Sequence, residues 1–174
     1  MSSERLPGKV LKEVNEKPLL LHQLERVARS KHVEKIVVAT STNPADDEIE
    51  KFAKKGNISL FRGSELDVLS RFEGAAQESE ATTIIRLTAD CPLTDPGMID
   101  NFIKIFQRKK IDYLSNGNPP TFPDGFDIEI FKFSDLEEIF FNSKSLYEKE
   151  HVTPFIKRNK HFLKYNVTNK INLK

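Results

Sequence analysis

The chain has 174 residues, 38% hydrophobic and 30% charged, an ordinary balance for a globular protein long enough to bury a proper core. Lys plus Arg number 27 against 26 Asp plus Glu, so the net charge of +1 supplies no global field toward nucleic acid or a membrane surface. The single cysteine, Cys91, excludes an internal disulfide and a cysteine-based metal site. No stretch approaches the roughly 18 apolar residues of a membrane span, and MSSERLPGK has no signal-peptide core, so a reducing, cytoplasmic setting is expected.

In chain order, Pro7-Gly8 marks a turn in a polar opening segment. Residues 18–30 put Leu20, Leu21, Leu24, Val27 and Ala28 on one helical face. Residues 35–40, KIVVAT, form a short buried strand that ends at Thr40-Ser41, and Asn43-Pro44 opens a helix that Gly56 closes. Residues 57–62 are a second strand, after which Ser64 caps a helix carrying Val68, Leu69, Phe72 and Ala75.

The sequence is organised around residues 83–95, TIIRLTADCPLTD. Its β-branched start reads as a buried strand that stops at Asp90, and Asp95-Pro96 has the form of a helix start. That helix runs to Lys110 with Arg108-Lys109-Lys110 in its last turn, where cations match the dipole. The β-α-β-α-β-α order over residues 35–110 implies parallel strands flanked by helices in one domain spanning 1–174. Beyond it come a short strand at 112–115, a loop NGNPPTFPDG, and an alternating strand at 126–133 whose exposed aromatic face suggests a homodimer. Ser134 caps a helix to about Asn142, residues 148–159 read as a helix bent by Pro154, and 161–167 as a last strand.

Four groups of side chains could carry chemistry. Arg5 and Lys9 flank the Pro-Gly turn and are equipped to hold phosphate oxygens, although they also suit an exposed basic tail, and the segment is not a P-loop. Arg62 stands at a strand end before a helix start, as a ligand or as a surface arginine. Asp90 lies beyond the carboxyl end of a strand, where open α/β sheets bind ligands and where aspartates also simply begin turns. Asp127 and Glu129 are two apart on a strand, so both face one side, as a pair for Mg²⁺ or as a polar strand face. His151 reads as a structural or surface histidine.

The segments RLPGKVL, KIVVAT, RGSELDVLSRF, IIRLTADCPLTDP, DYLSN, FPDGFDIEIF and EHVTPFI occur in one consistent order along nearly the whole chain. In this the sequence resembles the acylneuraminate cytidylyltransferase and spore-coat polysaccharide biosynthesis family of sugar nucleotidyltransferases. The resemblance implies a Rossmann-like three-layer α/β/α fold with a mostly parallel sheet. It implies an enzyme that transfers CMP from CTP to an acidic or related sugar, releasing pyrophosphate, for surface polysaccharide or glycan synthesis. By matched position Arg5 and Lys9 would clamp the triphosphate and Asp90 would hold Mg²⁺. Thr40, Ser41 and Arg62 would lie near the nucleotide, and Asp127 and Glu129 would face the sugar or a second metal.

Family members carry a hydrophobic strand upstream of RLPGK and a later segment with a second metal-binding aspartate. The chain begins inside that loop and stops before that segment, so a protein truncated at both ends is expected. The alternatives are a catalytically weak relative serving as a nucleotide-binding or assembly subunit, and a nucleotide-sugar glycosyltransferase using Asp127-x-Glu129 on its metal. RLPGK argues against the glycosyltransferase, which has no triphosphate to clamp.

Overall fold

The computed structural model describes residues 6–174, and the alternation of the sequence appears there as eight strands and seven α-helices. In chain order these are β1 (Glu13–Val14), β2 (Lys17–Pro18), α1 (Leu19–Val27), β3 (Val37–Ser41), α2 (Asp47–Lys55), β4 (Ser59–Gly63), α3 (Val68–Glu78), β5 (Thr83–Arg86) and α4 (Pro96–Lys109). Then follow β6 (Tyr113–Ser115), β7 (Glu129–Lys132), α5 (Phe133–Asn142), α6 (Leu146–His151), α7 (Pro154–Arg158) and β8 (Lys164–Asn166). The chain groups into two compact units: Met1–Glu34 with Ile85–Ile130 and Lys164–Lys174, and Lys35–Ile84 with Phe131–Leu163.

In the first unit Gly8, at φ 69°, takes the left-handed turn that starts a short 3₁₀ helix at Lys9–Leu11. The β1–β2 hairpin that follows is absent from the sequence reading. Its two-residue turn, Asn15-Glu16, puts both residues at positive φ, the turn that matches strand twist. Helix α4 begins as expected, with Asp95 accepting from the Met98 N–H at 2.7 Å and Pro96 in the first turn. Its apolar stripe, Ile99, Phe102, Ile103 and Phe106, is buried. Strands β6 and β8 pair in parallel.

The second unit contains the parallel β3–β4 pair, in register from Val37 opposite Ser59 to Ser41 opposite Gly63. Helix α3 packs on both strands and on α5 and α6. Its cap is Asp67, whose side chain accepts from the Ser70 N–H at 2.9 Å, while Ser64, the expected cap, accepts from the Asp67 N–H one step earlier. Likewise α5 starts at Phe133 with Lys132 as its cap position, ahead of the expected Ser134. The single helix expected over 148–159 is two. Pro154 has no N–H to continue the ladder, so it opens α7, and Val152 between the helices adopts φ 68° in a tight turn closed by Thr153 N–H to His151 O at 2.7 Å.

The remaining sheet has the order β5-β7-β6-β8. The strand expected over 126–133 is only Glu129–Lys132, and Ile128, Glu129, Ile130 and Phe131 are all buried, with no alternation. Burial of successive residues means that both faces of β7 are covered, as in a sheet packed on each side. Of the aromatic residues on which the homodimer expectation stood, Phe131 is fully buried and Phe126 and Phe133 are half-buried. Among the described residues no helix is long and apolar enough to cross a membrane.

Candidate active site

Strand β5 ends at Arg86, and the chain leaves it through Leu87 and Thr88 into a tight loop that carries Asp90 and returns to α4 at Asp95. Two turns fold this loop: Cys91 N–H donates to Thr88 O at 3.3 Å and Thr94 N–H to Cys91 O at 3.2 Å. Asp90 stands on the exposed side, while its neighbour Cys91 is buried. Facing Asp90 is Lys9, at the start of the 3₁₀ turn that Gly8 makes possible; its Nζ donates to Asp90 Oδ2 at 2.5 Å. Lys9 beside it, and the Thr88 hydroxyl after that, hold the Asp90 carboxyl below the usual carboxylate range against the opposing effect of burial. Burial pushes the Cys91 thiol up, and the negative charges of Asp90 and Asp127 add to it. Arg5 lies outside the described residues.

A lone carboxylate of this kind fits Mg²⁺ in one mode only. The ion is commonly held by one or two carboxylates together with substrate phosphates and waters, and Asp90 offers two half-exposed hard oxygens for that. Among the described residues no group of three or more His, Cys, Asp or Glu could make an all-protein metal cage.

Asp127 and Glu129 do not form the expected pair on one face. Asp127 precedes β7 and is exposed, whereas Glu129 is buried and committed. Arg86 Nη1 donates to its Oε2 at 2.5 Å, and the Tyr113 hydroxyl to its Oε1 at 2.5 Å. Glu129 thus ties together the strands on either side of it, β5 and β6. The paired-carboxylate metal motif of a glycosyltransferase has no geometric support here.

Thr40, Ser41 and Arg62 come together in the second unit, at the carboxyl ends of β3 and β4. Both hydroxyls donate to Asp46 Oδ2 at 2.7 Å, and the Ser41 N–H to the same oxygen at 3.0 Å. The Arg62 guanidinium donates to Ser41 O at 2.9 Å, Asn43 O at 3.1 Å and Asp47 Oδ1 at 2.8 Å, and also to Glu50. These contacts lock the turn between β3 and α2. The sequence reading missed Asp46, Asp47 and Glu50 as their partners because nothing in helix patterning distinguishes a carboxylate facing a strand end from a solvated one.

It missed Gln23 and Arg26 in the first unit as well. Gln23 was read with the polar face, although its spacing from Leu20 and Val27 places it on the buried one, and its Nε2 donates to Thr88 O at 2.8 Å; Arg26 Nε donates to Thr94 O at 2.8 Å.

Within the first unit, Lys9 of the RLPGK segment and Asp90 of the LTADCPL segment are in contact. The sequence matches the cytidylyltransferase family over residues 1–174. The chain belongs to the cytidylyltransferase family. It is 36% identical over 162 residues to the uncharacterized protein MJ1063 of Methanocaldococcus jannaschii, a match covering 93% of this chain and 65% of that protein. It is 34% identical over 161 residues to the spore coat polysaccharide biosynthesis protein SpsF of Bacillus subtilis, covering 87% of this chain and 67% of that one. The chain thus spans about two thirds of the length of these relatives, and slightly less for MJ1063. The structure of a cytidylyltransferase from Leptospira borgpetersenii superposes with a TM-score of 0.95 at 37% identity, over 100% of this chain and 74% of that one. The α/β fold expected from the sequence is therefore that of the cytidylyltransferases.

Proposed function

We propose that this cytidylyltransferase-family chain transfers CMP from CTP to an acidic or related sugar, releasing pyrophosphate, as a cytoplasmic step in surface polysaccharide or glycan synthesis. The observation that carries the proposal is the 2.5 Å contact between Lys9 and Asp90 at the end of β5. Nucleotidyl transfer needs a cation for the phosphates beside a hard anion for a divalent ion, and here Lys9 of the 3₁₀ turn stands beside Asp90 of the loop after β5.

In this reading Lys9, with Arg5, binds the β- and γ-phosphates of CTP and exchanges its bond to Asp90 for one to phosphate. Asp90, relieved of Lys9, would hold Mg²⁺ against the triphosphate. Bound there, the ion would neutralise charge on the phosphate oxygens. A sugar hydroxyl oxygen attacks the α-phosphorus in line, the new P–O bond forms as the bond to the bridging oxygen breaks, and that electron pair leaves with pyrophosphate. The hydroxyl proton passes to solvent. Lys9 stabilises the charge that grows on the leaving group. Thr40, Ser41 and Arg62 serve this reading by giving the β3–α2 turn a fixed shape, and Asp127 is the exposed carboxylate free to meet the sugar.

The test is pyrophosphate release from CTP in the presence of Mg²⁺ and a panel of acidic sugars, with ATP, GTP and UTP alongside. Release that depends on both CTP and a sugar supports the proposal. CTP binding without release under every condition supports the weak, binding-only relative instead.

A further inference from the structure

The Asp90 loop is held from below by a helix that the reaction does not otherwise use. Gln23 lies on α1, is 5% exposed, and spends both amide hydrogens on this loop: one on Thr88 O at 2.8 Å and one on Thr94 Oγ1 at 3.2 Å. Thr94, 2% exposed, passes its own hydroxyl hydrogen to Cys91 O at 2.8 Å. The carboxamide therefore bridges the two ends of the Thr88–Thr94 loop, and Asp90 sits between them. Arg26, one position short of a full turn further along the same helix, reinforces the far end through Thr94 O at 2.8 Å. A glutamine on an otherwise apolar helix face is poorly placed for stability, since burying an amide gains little even when it is bonded. Its worth lies in geometry: a carboxamide can donate twice in one plane, fixing the distance between two acceptors.

We propose that Gln23 is a positioning residue: it bridges Thr88 and Thr94 so that Asp90 is presented to Lys9 and, on the reading above, to the nucleotide. The inference rests on that reading for its catalytic consequence and on geometry alone for the bridge. Cys91 supplies a readout of the bridge that is independent of activity. It is the only cysteine in the chain, it lies inside the bridged loop, and it is 6% exposed, so a thiol reagent reaches it only when the loop opens.

The experiment compares the parent chain with Gln23→Met, which keeps the length and loses both donors, with Thr94→Val, which loses the hydroxyl at constant shape, and with Thr94→Ser, which keeps it. Far below the melting temperature, Cys91 labelling should accelerate about tenfold or more in Gln23→Met and Thr94→Val, the scale of one or two lost hydrogen bonds. Thr94→Ser should label at close to the parent rate. In pyrophosphate release, Gln23→Met should lose about tenfold to a hundredfold in kcat, the scale of a misplaced reacting group, with the KM for CTP within about threefold. Phe106→Leu, a core change in α4 away from the loop, should match the loss of melting temperature without accelerating labelling. The proposal falls if Gln23→Met and Thr94→Val label like the parent, if Phe106→Leu labels as fast as they do, or if KM rises while kcat stays. A parent chain that releases no pyrophosphate defeats the proposed function, and labelling then decides the bridge by itself.

Discussion

Lys9 and Asp90 lie 81 residues apart in sequence and 2.5 Å apart in space. Their side chains are 32% and 43% exposed, so water screens the pair, and such pairs contribute roughly 0–1 kcal/mol to stability. A contact that does so little for the fold is better understood as a site at rest. Asp90→Asn should accordingly leave the melting temperature nearly unchanged while reducing Mg²⁺-dependent pyrophosphate release by about a hundredfold or more, the loss seen when one electrostatic stabiliser is deleted. A melting curve run beside the assay separates the two effects. An Asp90→Asn chain that turns over normally at the same Mg²⁺ midpoint removes Asp90 from the site.

Lys9 should distinguish nucleotides by their phosphates. Lys9→Ala is expected to weaken CTP about tenfold or more, since a hydrogen bond to a charged group contributes roughly 1.5–3 kcal/mol. CMP lacks the β- and γ-phosphates and should bind almost as before. Calorimetry with both nucleotides is the measurement, and equal weakening of the two would place Lys9 elsewhere.

Lys9 and Asp90 were each singled out in the sequence by residue type, in RLPGK and LTADCPL, but their contact across 81 residues is tertiary information. Helix α4 was legible for a local reason: Asp95-Pro96 at its start and Arg108-Lys109 in its last turn satisfy its ends within a few residues. Glu129 was not. In FDIEIF it looks like the polar half of an alternating strand, and only the tertiary fold, which buries both faces of β7 and brings Arg86 and Tyr113 to its carboxylate, shows otherwise. The β1–β2 hairpin escaped because two-residue strands have no period to read and Asn15-Glu16 lacks the glycine that usually marks such a turn. Thr40 and Ser41 were found by position at a strand end, but their joint grip on Asp46 is tertiary information.

The Cys91 thiol should be unreactive in the native chain. Burial raises its pKa, so at neutral pH it is protonated, and the nucleophile is the thiolate. Labelling at pH 7.5 should be on the order of a hundredfold slower than in denaturant, because both the protonation state and access oppose it. Raising the pH should speed the reaction. Native and denatured rates that coincide would mean that the loop is open in solution.

Gly74 is the position where two backbone rules oppose each other. It lies inside α3, where alanine would ordinarily gain up to about 1 kcal/mol over glycine. A Cβ there would stand 2.5 Å from the tip of the Phe61 ring on β4, closer than carbon atoms approach. Forcing an extra methyl into packed surroundings costs about 1–3 kcal/mol. The clash should therefore outweigh the propensity, and Gly74→Ala should lower the melting temperature. In a Phe61→Leu background the same change should be neutral or stabilising, since the ring tip is gone. A stabilised Gly74→Ala single variant would show that β4 and α3 are not packed this closely.

Glu148 connects the two short helices of the second unit and gives the chain an acid-sensitive joint. It is 5% exposed, its Oε2 accepts from the N–H groups of Lys144 at 3.1 Å and Ser145 at 3.2 Å, and Arg158 Nη2 stands 2.6 Å from Oε1. Burial disfavours the charge, but the N–H groups of Ser145 and Lys144, the Ser145 hydroxyl and Arg158 together hold the carboxyl below its usual range. A carboxyl with a lower pKa in the folded chain binds its proton more weakly there than in the unfolded chain. Its contribution is then complete above the unfolded value of about 4.3 and is lost as the pH falls through the folded one. Glu148→Gln keeps the size but offers Lys144 and Ser145 only a neutral acceptor and turns an amide toward Arg158. At pH 7 it should cost about 1–3 kcal/mol. The loss should narrow steadily below pH 4.3, where the parent carboxyl also becomes neutral. Denaturant melts of both chains at several pH values between 3 and 7 measure this directly. A difference that stays constant across that range would mean that the charge of Glu148, as distinct from its shape, contributes nothing to holding α6 against α7.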